Sequence, residues 1–88
     1  LRILVADDNE DAAVTLALAL ELQGHQVCTA HDGSSALAAV ASFAPQVALL
    51  DLGMPGMSGW DLARHLRDSP AHRDLTLAAI TGWGSESD

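Results

Sequence analysis

The chain of 88 residues is 49% apolar and carries a formal net charge of −8 at pH 7. This length suits one small domain rather than two, and the apolar fraction predicts a folded core rather than disorder. The 12 acidic residues face only 4 basic ones, all of them arginine, which argues against direct contact with nucleic acid. The charge suits a divalent cation or a basic partner surface, or serves solubility alone.

Neither a disulfide nor membrane contact is expected. Cys28 is the only cysteine, so no intrachain disulfide can form, and a reducing compartment fits this composition. No apolar run approaches the ~18 residues of a membrane-spanning helix. We therefore expect a cytoplasmic location, either of a separate protein or of the cytoplasmic part of a membrane-bound sensor.

Strands and helices are predicted to alternate along the chain, with strands over 1–6, 26–30, 47–50 and 75–80. Helices are predicted over 10–23, over 34–43, and from near Ser58 to just before Pro70. Asp8 or Asn9 is expected to cap the first helix and Ser34 the second. Alternation of this kind predicts an α/β fold with a parallel sheet and right-handed crossovers.

Acidic residues follow the first and third predicted strands. Asp7 and Asp8 end the first strand, Asp51 ends the third, and Thr81 ends the fourth. If the first and third strands are neighbours, three carboxylates converge where sites form in such sheets. Their repulsion calls for a hard cation such as Mg²⁺ (or Mn²⁺), and the group then suits phosphoryl transfer onto a carboxylate. The alternative for Asp51 is a cap of the next helix.

Three segments together carry a family resemblance: Asp7-Asp8, the stretch D-L-G-M-P-G-M-S-G over 51–59, and I-T-G over 80–82. They resemble the receiver domain of two-component response regulators, over the whole chain. The resemblance implies a flavodoxin-like three-layer α/β/α fold with the strand order 2-1-3-4. It also implies a fifth strand and a fifth helix that the sequence does not contain. We therefore expect residues 1–88 to be a C-terminally truncated receiver, lacking the last part of the fourth helix through the fifth.

The resemblance also implies roles for the acidic residues. Asp51 would accept a phosphoryl group from a phosphohistidine of a sensor histidine kinase or a histidine phosphotransfer domain. Asp8 would bind Mg²⁺ directly, Asp7 would assist through water, and Gly53 would offer its backbone carbonyl. Thr81 would contact the phosphoryl group and act as the switch. Three further residues would shape the loop beside the site, namely Met54, Pro55 and Gly59.

One departure from the family pattern concerns the charge of the phosphoryl group. The family has a lysine on the fifth strand that pairs with this group, and the sequence has no lysine. We therefore expect phosphorylation of the chain in this form to be impaired. Its fourth strand would be an open edge, so we also expect a strand-exchanged or edge-paired homodimer.

Two further patterns leave alternatives open. Val14, Leu18 and Leu22 form a second apolar line on the first helix, either as half-covered core or as a docking patch for the phosphohistidine partner. The histidines show no metal-ligand spacing and are predicted to be surface or turn residues; they are His25, His31, His65 and His72.

Three functions are considered for a chain with these features. The first is the phosphoaccepting receiver, which is not an enzyme in the usual sense but whose parent is either a hybrid histidine kinase or a separate regulator. The second is a phosphatase of the haloacid-dehalogenase type, which is disfavoured because Gly53 stands where that family has a second aspartate. The third is a pseudo-receiver that binds partners without being phosphorylated.

Overall fold

A computed structural model describes residues 1–80 as four parallel strands and three helices. The strands are β1 (Arg2–Ala6), β2 (Gln26–Ala30), β3 (Val47–Asp51) and β4 (Thr76–Ile80). The helices are α1 (Glu10–Leu22), α2 (Gly33–Phe43) and α3 (Gly59–Asp68), and a short 3-10 turn covers Pro70–His72. No helix within these residues is long and apolar enough to cross a membrane.

The sheet has the order β2-β1-β3-β4, with every neighbouring pair parallel, so the predicted order is confirmed. Ala6 at the end of β1 pairs with Ala30 of β2 on one side and with Leu50 of β3 on the other. The carboxyl ends of β1 and β3 therefore lie side by side. Among the described strands, β4 lies at the outer edge, bonded only to β3.

Helices cover both faces of the sheet because side chains of β1 alternate between the two faces. Leu4 and Ala6 point into the larger core, which includes residues of α2 and α3. Ile3 and Val5 point to the opposite face, where they pack with Ala13 of α1. The result is the predicted three-layer α/β/α arrangement.

The N-cap of α2 differs from the predicted one. Helix α2 begins at Gly33, and its N-cap is Asp32 rather than Ser34. Asp32 has extended backbone angles, and its Oδ1 accepts a 2.7 Å hydrogen bond from the Ser35 N–H. Ser35 N–H and hydroxyl donors hold the pKa of Asp32 below its usual value. The prediction was wrong by two residues because a capping residue is not itself helical, and the extended segment ends at Asp32.

The apolar line on α1 lies largely exposed among the described residues. Val14, Leu18 and Leu22 are 48%, 56% and 88% exposed, whereas Ala13 and Ala17 are 0% and 8% exposed. The sheet contacts only one stripe of a helix, and small alanine side chains let that stripe lie close to it. Both interpretations offered by the sequence, half-covered core and docking patch, stay predictions for these residues.

Candidate acidic site

Three carboxylates meet at the carboxyl end of the sheet, as the strand order requires. Asp7 and Asp8 directly follow β1, and Asp51 is the last residue of β3. Each offers one oxygen such that all three oxygens lie within 4.8 Å of one another. Asp7 and Asp51 are partly buried and Asp8 is exposed. The structure thus brings together the acidic residues that the sequence predicted for one site.

Local hydrogen bonds orient two of these side chains. Oδ1 of Asp7 accepts a 3.0 Å hydrogen bond from the Asn9 N–H, and Oδ1 of Asp51 accepts one of 3.0 Å from the Gly53 N–H. Each bond joins a carboxylate to the amide two residues later, as in an Asx turn. An ionised carboxylate has about four lone-pair positions, so both residues retain capacity for a further ligand.

The donor set fits a hard divalent cation. The three ligand atoms are all carboxylate oxygens, and Mg²⁺ prefers oxygen ligands while keeping several water molecules. The exposure of Asp8 leaves one side of the group open to water. A cation would also remove the repulsion among three like charges held at this separation.

Asp51 does not cap the following helix. Helix α3 begins at Gly59, and its N-cap is Ser58, whose hydroxyl accepts a 3.2 Å hydrogen bond from the Asp61 N–H. The Asp61 carboxylate in turn accepts from the Ser58 hydroxyl at 3.2 Å. The alternative interpretation of Asp51 as a cap is therefore wrong.

The loop after β3 is anchored at both ends. Met54 is buried in the core shared with α2 and α3, whereas Pro55 and Gly53 are exposed. Gly59 is buried, and a Cβ atom placed on it would lie 2.5 Å from the carbonyl oxygen of Asp51. The first turn of α3 therefore packs directly on the backbone of the residue that supplies the carboxylate.

A second close contact joins this loop to α2. A Cβ atom on Gly33 would lie 2.6 Å from both Cβ and Sδ of Met57, so the start of α2 rests on that side chain. The sequence offered no reason to pair these two positions.

A histidine beside the site was missed by the sequence interpretation. Nδ1 of His31 lies 3.1 Å from the main-chain oxygen of Asp7, and the side chain is partly buried rather than a free surface group. The available signal was position, because His31 directly follows β2 and so stands at the same edge of the sheet as Asp7. The predicted phosphoryl contact, Thr81, lies outside the described residues.

Comparisons with known proteins define the class to which this fold and this site belong. The sequence profile of the response regulator receiver domain matches residues 3–88, so the chain belongs to that family. The fold is accordingly the flavodoxin-like receiver fold, as the resemblance implied.

Individual relatives agree with this assignment. The chain is 40% identical over 87 residues to response regulator PleD of Caulobacter vibrioides, covering 99% of the chain and 19% of PleD. It superimposes on the N-terminal domain of a response regulator receiver protein from Methanoculleus marisnigri with a TM-score of 0.89, at 32% identity, covering 93% of this chain and 67% of that one.

The response regulator TrrA from Thermotoga maritima, solved in complex with Mg²⁺-BeF, gives a TM-score of 0.84 at 31% identity, covering 94% and 70% of the two chains. The chain spans about a fifth of the length of PleD.

Proposed function

We propose that this receiver domain accepts a phosphoryl group on Asp51 in a Mg²⁺-dependent reaction with a partner phosphohistidine. The observation that carries the proposal is the convergence of the Asp7, Asp8 and Asp51 carboxylates within 4.8 Å. Phosphorylation would then change the conformation of the domain or its choice of partner. The proposal is supported by the response regulator TrrA, which has the same fold and was solved in complex with Mg²⁺-BeF.

The reaction assigns separate tasks to the residues of the site. A carboxylate oxygen of Asp51 attacks phosphorus, the P–O bond forms as the P–N bond to imidazole breaks, and the product is an acyl phosphate. The Gly53 N–H holds Oδ1 of Asp51 in place during the attack. Asp8 directly, and Asp7 through water, would hold Mg²⁺, which neutralises charge around the transferring group. In the same proposal, the Gly53 carbonyl is a further ligand of Mg²⁺, and the hydroxyl of Thr81 contacts the phosphoryl group.

The phosphodonor is proposed to dock on α1. Val14, Leu18 and Leu22 present an exposed apolar line on the helix that begins two residues after Asp8. A sensor histidine kinase or a histidine phosphotransfer domain seated there would bring its phosphohistidine to the edge of the sheet that carries Asp51. A cytoplasmic location is proposed with this partner. The homodimer through the edge of β4 stays a prediction.

Leu18→Asp tests the docking surface. Because Leu18 is 56% exposed, the variant is expected to fold normally and to retain phosphorylation by a small phosphodonor. Its phosphotransfer from the partner protein is expected to fall. Loss of folding, or unchanged transfer from the partner, would contradict the proposed docking.

The pseudo-receiver is the second candidate. The observation in its favour is the exposed apolar line of Val14, Leu18 and Leu22 on α1, a partner surface that does not require a phosphoryl group. A pseudo-receiver would bind the same class of partner through α1 without a covalent change at Asp51.

One experiment separates the two candidates. The full-length protein and its Asp51→Asn variant are incubated with Mg²⁺ and acetyl phosphate, and their intact masses are measured. The proposal predicts a gain of one phosphoryl group in the parent protein alone, lost on treatment with hydroxylamine as for an acyl phosphate. No gain in either protein would contradict phosphorylation and favour the pseudo-receiver. An equal gain in both would place the phosphoryl group on another residue.

A further inference from the structure

The end of strand β2 supports the acidic site through its backbone. The last registered pair between β1 and β2 is Ala6 with Ala30. One residue further, the Asp7 N–H still donates to the Ala30 carbonyl at 2.9 Å. In a parallel ladder that continued, the N–H of residue 32 would next donate to the Asp7 carbonyl.

The N–H of residue 32 does not donate to the Asp7 carbonyl in this chain. Asp32 caps α2, and its N–H donates instead to the Ser35 hydroxyl at 3.4 Å. The side chain of His31 takes the place of the missing donor, with Nδ1 at 3.1 Å from the Asp7 oxygen. Since a carbonyl oxygen can only accept, Nδ1 carries the hydrogen in this contact.

We propose that His31 is a positioning residue for the cation site, an inference that rests on the proposed function. Its bond is the second of two that hold the backbone of Asp7, after the bond from the Asp7 N–H to the Ala30 carbonyl at the end of β2. The peptide held in this way joins Asp7 to Asp8, so its orientation sets the direction from which both carboxylates reach the site. Without the His31 donor, this peptide can rotate, and cation binding must order it again.

The experiment compares two substitutions of the same size and charge. His31→Asn keeps a donor, because the amide nitrogen of asparagine is the same number of bonds from Cα as Nδ1 of histidine. His31→Leu has the branched shape of asparagine without a donor. His65→Leu, at an exposed position of α3, is the control for loss of a histidine elsewhere.

Two quantities are measured on the full-length protein. The dissociation constant for Mn²⁺ is obtained by electron paramagnetic resonance titration, with Mg²⁺ as competitor. The free energy of unfolding is measured in EDTA. His31→Leu is expected to raise the dissociation constant about tenfold, the lower end of what removal of an outer-shell partner costs. His31→Asn and His65→Leu are expected to bind Mn²⁺ as the wild type does.

Each other outcome overturns the inference. Equal Mn²⁺ affinity in the leucine and asparagine variants would show that the donor does not matter. Lower stability in EDTA with unchanged Mn²⁺ affinity would make the role of His31 structural only. If the leucine variant does not fold, His31→Ala replaces it, and failure of both would again mean a structural role. A wild-type protein that binds no Mn²⁺ would refute the cation site itself, which is a separate result from refuting the role of His31.

Discussion

Replacing Gly59 by alanine tests how tightly α3 packs on β3, the strand that ends at Asp51. The added Cβ atom would lie 2.5 Å from the carbonyl oxygen and 2.9 Å from the carbonyl carbon of Asp51. Carbon atoms prefer separations of about 3.5 Å or more, so the carbon contact is short by roughly 0.6 Å. Both atoms belong to the backbone, so neither can rotate away as a side chain would. Either the start of α3 or the end of β3 must move.

The clash is expected to lower both the free energy of unfolding and the rate of phosphorylation. Overpacking of this kind costs about 1–3 kcal/mol, and each kcal/mol lowers the Tm of a domain this small by roughly 4–8 °C. A displacement near 1 Å can lower a reaction rate by about 100-fold, so a shift of roughly 0.6 Å is expected to slow phosphorylation of Asp51 about tenfold. The measurements are urea denaturation in EDTA and the rate of mass gain with acetyl phosphate.

Two control variants separate the effects of the clash. Gly53→Ala is the control for stability, because its Cβ would meet nothing closer than the Asp51 Oδ1 at 3.7 Å. Val40→Ala is the control for rate, because it removes two buried methyl groups from α2, costing about 1.6 kcal/mol, without touching the site. A Gly59→Ala protein as stable as Gly53→Ala would refute the close packing. One that is destabilised yet phosphorylated as fast as Val40→Ala would refute the link from the packing to Asp51.

Three other predictions concern stability. Leu62→Ala empties a fully buried position of α3 and is expected to cost about 2–5 kcal/mol in urea denaturation, and a loss below 1 kcal/mol would contradict the core assignment. Ala44→Gly is expected to stabilise the fold by about 1 kcal/mol, because Ala44 is the C-cap that follows α2 and has φ 51°, where glycine has no Cβ penalty; a lower Tm would contradict this. Asp32→Ala is expected to lower Tm at pH 7, while Asp32→Asn keeps the cap. Since hydrogen bonds lower the pKa of Asp32 in the fold, the contribution of its charge is present above the unfolded pKa near 4 and is lost as pH falls through the folded pKa. A wild-type advantage over Asp32→Asn that grew on acidification would refute that sign.

The strands and the acidic residues that follow them are predicted well because both depend on short-range patterns, whereas the order of the strands follows from the family resemblance. Alternating apolar segments define the strands, and carboxylates directly after two of them converge once β1 and β3 are neighbours. The cap of α2 depends on whether Asp32 or Ser34 is the last extended residue, and both types are good caps. Burial on α1 depends on the distance between helix and sheet. A pattern of leucines cannot give that distance, whereas the alanines at positions 13 and 17 set it.

The contact of His31 with Asp7 could not be predicted for a related reason. It exists because the β1–β2 ladder ends at Ala30 and the next backbone N–H turns into the cap of α2. If either boundary shifted by one residue, the Asp7 carbonyl would no longer be left without a backbone donor, and the imidazole would have no bond to supply. Such contacts depend on boundaries between elements, which are the least certain part of any prediction from sequence.

The central position of β1 also has a consequence for folding. Asp8 and Asp51 are more than forty residues apart in the sequence, and they meet only after β1 has paired with β3 across that separation. A chain in which this long loop has not closed offers the cation two separate weak ligands. If the proposed site binds a cation, that binding would favour the native state alone and would add RT ln(1 + [L]/Kd) to its stability. Titration with Mn²⁺ during refolding would accordingly report the moment at which the centre of the sheet forms.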